Sequence, residues 1–148
     1  MISIAKSTFT LIHPLRVRWA ECDSQGIVFN VNYFLFYDVA MTEWLRALGF
    51  QGEGKPAIEF LTAHAQANFR APALFDEMIE VGIRCARIGT KSMDAQCAIF
   101  RGEELLNDGA MTYVHVDIGT KNSSPVPDAF INRIQEFENT APVMERRS

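Results

Sequence analysis

The stretch RVRWAECDSQGIVFNVNYFLFYDVAMTEWL, Arg16 to Leu45, decides the fold. Upstream of it, Phe9–Ala20 mixes β-branched and aromatic residues, and Arg16 and Arg18 alternate with Val17 and Trp19, which predicts a strand. The polar run ECDSQG then predicts a turn ending at Gly26. From Asn30 to Leu48 the pattern becomes helical, with Val31, Phe34, Leu35, Leu45 and Leu48 near one face. Asn30 or Asn32 would cap the start and Gly49 would end it. At a rise of about 1.5 Å per residue, such a helix is about 28 Å long. Tyr33–Tyr37, YFLFY, is aromatic all round. That suits a helix buried between its own sheet and a second apolar body.

Working outward, the period changes to two after the loop QGEGKP. In Ala63–Arg70, the polar residues His64, Gln66, Asn68 and Arg70 alternate with Ala63, Ala65, Ala67 and Phe69. The small face leaves room for the helix to lie across it, and Pro72 interrupts the strand. Met78–Ile88, Ser92–Arg101 and Leu105–Ile118 read as further strands, joined by the turns IGTK and RGEE. Asp108-Gly109 suggests a bulge or break in the last of these. A short helix over 127–138 and a frayed tail over 142–148 complete one domain, 1–148. The fold class is α+β, one long helix packed on a five-stranded antiparallel sheet. One helix cannot cover both faces of such a sheet, so an oligomer is expected.

Composition narrows the function. The chain has 148 residues, of which 48% are hydrophobic. A chain of that size builds a core without disulfide or metal staples. A net charge of −4 gives no sign of the basic face of a nucleic-acid binder. Eleven Phe call for a large core, a subunit interface or an apolar ligand tunnel. Cys22, Cys85 and Cys97 show no CxxC spacing, which argues against a zinc site or disulfide framework and for reduced thiols in the cytoplasm. The N-terminal residues contain no apolar run of the roughly 7–15 residues that a secretory leader needs, and no run reaches the roughly 18 of a membrane span.

Asp23 is the candidate for chemistry. It sits in the turn before the long helix, where free N–H groups and the positive end of the macrodipole can polarise a carbonyl. There a carboxylate acts as nucleophile or as base for water. On spacing alone, D-x-x-G before a helix is an ordinary capped turn. However, Asp23, Gly26, Ile27, Val28, Asn32 and Tyr33, followed by the long helix and four strands, resemble the hotdog-fold acyl-CoA thioesterases of the hydroxybenzoyl-CoA type. Pro72–Val81, Gly89–Ser92 and Tyr113–Asp117 are also similar to that family.

The resemblance implies Asp23 as the catalytic carboxylate. It implies an oxyanion site from backbone amides around Phe29 and Asn30, with Gly26, Val28 and Tyr33 positioning the acyl group. It further implies a homodimer whose sheets join edge to edge, with a dimer of dimers as the expected assembly. The coenzyme A of the substrate would lie near the surface, and no separate cofactor or metal is expected. Its phosphates need cationic or N–H partners, for which Arg87, Lys91, Ser92 and Lys121 are candidates, each equally readable as solvated surface. His64 is either a pocket residue or a structural histidine. Asn30 stands where many bacterial relatives carry His. Glu43, a helix carboxylate, reads as a partner of Arg46. His13 and His115 have no partner nearby in sequence. The competing functions are a non-catalytic acyl-binding hotdog module and a hotdog dehydratase or hydratase; the latter needs a His near the helix entrance.

Overall fold

The computed structural model describes residues 4–146. The expectations that touch Met1–Ser3 and Arg147–Ser148 therefore lie in part outside the described residues. The elements are β1 (Leu11–Arg16), α1 (Asn32–Leu48), β2 (Glu59–Phe69), β3 (Met78–Ile88), β4 (Ser92–Arg101), β5 (Glu104–Val116), α2 (Asp128–Phe137) and β6 (Val143–Met144). The strand order is β1-β3-β4-β5-β2, all antiparallel. β6 runs parallel to β3 at Arg87 and Ile88. α1 packs across one face of this sheet, which is the hotdog arrangement.

Tyr33, Phe36, Tyr37, Ala40, Met41, Trp44 and Leu48 form the buried stripe of α1. They meet Ile79, Val81 and Ile83 of β3, Cys97 and Ile99 of β4, and Met111 and Tyr113 of β5. At about 25 cal/mol per Å² of apolar surface, this interface is the main source of stability. The contact is closest at Tyr37: a Cβ built on Gly109 would lie 2.7 Å from its ring and 2.6 Å from the Gln66 carbonyl. The Tyr37 hydroxyl donates to Asn107 Oδ1 at 2.6 Å. On the opposite face a smaller cluster joins Phe9, Ala98 and Phe100, with Phe9 lying over Gly82.

Several expectations are corrected. The first strand is shorter than Phe9–Ala20: it stops at Arg16 and the chain turns into a 3-10 helix at Trp19–Glu21. Glu21 drives the turn, since its carboxylate accepts the Arg18 N–H at 2.7 Å and the guanidinium at 2.8 and 3.0 Å. α1 begins at Asn32 rather than Asn30, and neither asparagine caps it. The Asn32 side chain instead donates to the Glu21 carbonyl at 2.8 Å. Val31 and Leu35 are exposed, not core; the run is aromatic on every face, so periodicity alone could not choose the buried stripe. Gly49 ends the helix as expected, at φ 88°.

The strand around Ala63–Arg70 starts earlier, at Glu59, and its bulge falls between Thr62 and His64. Asp108-Gly109 pairs without interruption on both sides. Gly109 is there for the approach of Tyr37, not for a bulge. The tail is not frayed over 143–146. β6 pairs with β3, Glu145 N–H donates to the Ile88 carbonyl at 2.8 Å, and Arg146 donates to the carbonyls of Gly89 and Val126 at 3.2 Å each. Backbone pairing with an open strand edge orders a segment whose side chains are unremarkable.

Glu138, just after α2, is a buried carboxylate. Oε2 accepts from the Trp44 indole at 3.1 Å and from the Cys85 N–H at 2.6 Å. Oε1 is buried with no hydrogen bond among the described residues. Burial pushes this carboxyl up to about 7 from 4.5, against the pull of those hydrogen bonds.

Both features of this packing can be tested by substitution. Gly109→Ala should destabilise the fold by roughly 1–3 kcal/mol through overpacking, read from chemical denaturation. The native carboxyl of Glu138 titrates higher than the unfolded one. Its stabilising effect is therefore complete below pH about 4.5 and is lost as pH rises through about 7. Glu138→Gln should remove that decline, raising Tm relative to wild type at pH 8 and closing the gap at pH 4.

Candidate active site

The loop from Glu21 to Val31 is built from backbone hydrogen bonds. Asp23 N–H donates to the Ile27 carbonyl at 2.9 Å, and Gly26 N–H to the Asp23 carbonyl at 3.0 Å. Gly26 closes the turn at φ 75°. That conformation disfavours a side chain. Val28 N–H donates to the Ala73 carbonyl at 3.0 Å and Phe29 N–H to the Glu21 carbonyl at 2.9 Å. Glu21 therefore holds the loop twice through its carbonyl, once by Phe29 and once by Asn32, while its buried carboxylate holds Arg18.

Asp23 itself is exposed. Its Oδ1 accepts from Gln25 N–H at 2.8 Å and Ile27 N–H at 3.4 Å. Oδ2 takes no hydrogen bond among the described residues. The backbone N–H groups of Asn30 and Val31 likewise have no acceptor there. They stand at the positive end of α1. The carboxylate is thus fixed by one oxygen, and the same loop ends in donors without acceptors at the helix entrance. Burial, assisted by the Glu21 and Asp23 charges, pushes the neighbouring Cys22 thiol up. It is therefore a protonated and poor nucleophile at neutral pH.

A cleft of about 370 Å³ opens at this entrance, lined by Ile27, Val28, Asn30, Tyr33, Phe69 and Pro72 among others. Tyr33 is 3% exposed; its ring packs 5.5 Å from that of Phe69, and its hydroxyl accepts the Ala73 N–H at 3.0 Å. It therefore both lines the cleft and ties α1 to the segment before β3.

The structure brings Asp23, Gly26, Val28, Phe29, Asn30 and Tyr33 into one loop and helix entrance. Among the amides expected near Phe29 and Asn30, that of Phe29 is already used internally and that of Asn30 is not. His64 pairs with Thr112 on the sheet face away from α1, so within one chain it does not reach this cleft. Arg87, Lys91, Ser92 and Lys121 gather at the other end of the sheet, near the start of β2. Arg87 bonds Asp94 at 2.7 Å and Ser92 at 3.1 Å, and Lys121 bonds Glu59 at 2.6 Å. The Arg87 bond, with help from Thr112, holds the Asp94 carboxyl below the usual range. Lys91 carries no ion pair among the described residues. Glu43 pairs with Arg46 at 3.2 Å, as expected for a surface helix residue. Glu21, which frames the loop, and Phe69, which lines the cleft, are residues that reading the sequence passes over. The spacing Arg18-x-x-Glu21 was a legible capping signal; the role of Phe69 depends on which strand face meets α1. Among the described residues, no three His, Cys, Asp or Glu side chains form a group able to hold a metal ion, and no helix is long and apolar enough to cross a membrane.

One long helix packed across this antiparallel sheet is the fold of the hotdog thioesterases. Family comparison agrees: the description "Thioesterase superfamily" matches residues 25–107, more than half of the chain, and the chain belongs to that superfamily. The acyl-CoA thioester hydrolase YbgC of Escherichia coli is 30% identical over 107 residues, covering 70% of this chain and 80% of that protein. A solved structure from Pseudomonas aeruginosa matches with a TM-score of 0.81 at 24% identity, covering 93% of this chain and 97% of that one. A thioesterase from Thermus thermophilus, complexed with coenzyme A and Zn, matches with a TM-score of 0.80 at 20% identity, covering 92% of this chain and 98% of that one.

Tyr33→Phe keeps the ring but leaves the Ala73 N–H, buried in the core, without its acceptor. The expected loss is about 1–2 kcal/mol in denaturation, with faster hydrogen exchange at the Ala73 amide.

Proposed function

We propose that the chain hydrolyses acyl-CoA thioesters to the free acid and coenzyme A. The observation that carries this reading is that one loop holds both Asp23, with one carboxylate oxygen pinned and the other open, and the acceptor-free N–H groups of Asn30 and Val31. A thioester carbonyl seated on those amides is polarised, and the same amides stabilise the oxyanion as it forms. Asp23 then serves in one of two roles. As nucleophile, it forms an acyl–aspartyl anhydride and expels the thiolate, and water cleaves the anhydride. As base, it takes a proton from the water that attacks directly. The acyl group lies in the cleft between Tyr33 and Phe69, and the reaction requires no cofactor.

The working unit in this reading is a homodimer. β2 is an 11-residue strand at the sheet edge, with β5 on one side only and most of its residues exposed. An exposed edge of that length is a template for pairing. Antiparallel pairing with the β2 of a second copy sets the partner's Arg87, Lys91, Ser92 and Lys121 end toward the cleft that Asn30, Tyr33 and Phe69 line at the entrance of α1. This supports a role for those residues in holding coenzyme A phosphates across the interface, and assembly into a dimer of dimers would use the remaining surface. The unpaired cysteines support a cytoplasmic location.

Free thiol released from a panel of acyl-CoA esters tests the function. Asp23→Asn should lower kcat by at least about 100-fold while the fold melts as wild type does, since an oriented acid–base group contributes ~10²–10⁴. Equal turnover by the two proteins would exclude Asp23. Ligand binding with no hydrolysis by wild type would favour an acyl-binding module.

A further inference from the structure

The turn that joins β3 to β4 is held by three other parts of the chain. Every carbonyl from Ile88 to Ser92 has a donor. Ser92 takes the Gly89 N–H at 2.7 Å, Lys91 the His115 N–H at 2.8 Å and Thr90 the Val126 N–H at 2.9 Å. Ile88 takes the Glu145 N–H at 2.8 Å, and Gly89 takes Nη1 of Arg146 at 3.2 Å. Only the last of these donors is a side chain. Its Nη2 donates to the Val126 carbonyl, also at 3.2 Å. One guanidinium therefore ties the turn to the segment before α2. A planar fork suits this task, because two of its N–H groups meet two fixed acceptors with little loss of freedom.

The route to Arg146 is built as firmly. After α2 the chain follows the edge of β3 from Cys85 to Gly89. Glu138 accepts the Cys85 N–H at 2.6 Å, Arg84 donates to the Thr140 carbonyl at 3.4 Å, and Val143–Met144 pair with Arg87 and Ile88. The Asn139 N–H adds a bond to the Thr10 hydroxyl at 2.8 Å. The segment is a strap, fastened along its length and ending on the turn. It also acts on charge. Arg87 bonds Asp94 at 2.7 Å and lies 3.8 Å from Glu145, so two carboxylates offset it. Lys91 is exposed and carries no ion pair among the described residues, so its ammonium, with the Ser92 hydroxyl beside it, is what the turn offers an anion. An exposed charge contact is weak when long side chains must be ordered to make it. The hold on the backbone beneath Lys91 therefore decides how much that contact contributes.

We propose that Arg146 is a positioning residue for coenzyme A: by clamping Gly89 to Val126 it sets the β3–β4 turn, and Lys91 and Ser92 on it, for contact with the substrate's phosphates. This rests on the hydrolysis reading above for the place of coenzyme A at this turn. Two substitutions separate clamp from charge. Arg146→Met removes both, and Arg146→Lys keeps the charge without the fork. The substrates are one acyl group carried on coenzyme A and the same group carried on pantetheine, which lacks the nucleotide and its phosphates. On the coenzyme A ester, Arg146→Met should raise KM by about tenfold, with the loss falling on KM rather than kcat, and Arg146→Lys should stay within about threefold of Arg146→Met. On the pantetheine ester the loss should be about twofold or less. Hydrogen exchange at the amides from Gly89 to Ser92 should quicken in Arg146→Met while circular dichroism stays native. An unchanged KM for the coenzyme A ester, or equal losses on both esters, overturns the proposal. So does a fuller recovery by Arg146→Lys, which would assign the effect to charge alone. Calorimetric titration with coenzyme A itself stands apart from catalysis. Binding by wild type that Arg146→Met weakens about tenfold supports the strap's role even if no ester is hydrolysed. Equal affinities, or no binding by wild type, overturn it.

Discussion

The close approach of Tyr37 to the backbone of β5 governs the rest of the molecule. Gly109 admits the ring, and the phenol hydroxyl is anchored on Asn107, so α1 is held at one depth and one angle on the sheet. The buried stripe from Tyr33 to Leu48 follows from that placement. So does the position of the helix entrance, because a rigid helix fixed at its centre fixes its ends. Protein interiors are close-packed, and a shift of one methylene at Gly109 would reach the entrance loop.

That loop is a second, more local construction. Glu21 is buried, yet its carboxylate is fully used by Arg18 and its carbonyl by Phe29 and Asn32. These bonds leave the outer surface of the loop free of internal obligations. Asp23, Asn30 and Val31 keep unused polar groups there because the frame behind them is satisfied. Preorganisation of this kind lets groups act on a substrate without first breaking protein contacts.

Much of this was legible in the chain. The turn ending at Gly26, the helix stopping at Gly49 and the two hairpins rest on local conformational rules, and they stand where those rules place them. The long helix and the following strands were legible for the same reason, together with the resemblance carried by Asp23 to Tyr33. What escaped depends on contacts distant in sequence. Val31 and Leu35 look like core until the sheet chooses the other stripe. Asp108-Gly109 looks like a bulge until Tyr37, far earlier in the chain, is seen lying on it. The ordered tail is a backbone pairing with no side-chain signature. His64 shares a strand with Phe69, and only the register separates their faces.

The two sides of the sheet differ in what they offer another chain. On one side β1 is six residues long and carries Pro14, which lacks an N–H, and β6 adds only two residues further along the same edge of β3. That side is a poor template for strand addition. On the other side β2 is long and open. A sheet with a single receptive edge can take only one further strand, so edge-to-edge addition would stop at two copies rather than run on into a fibre.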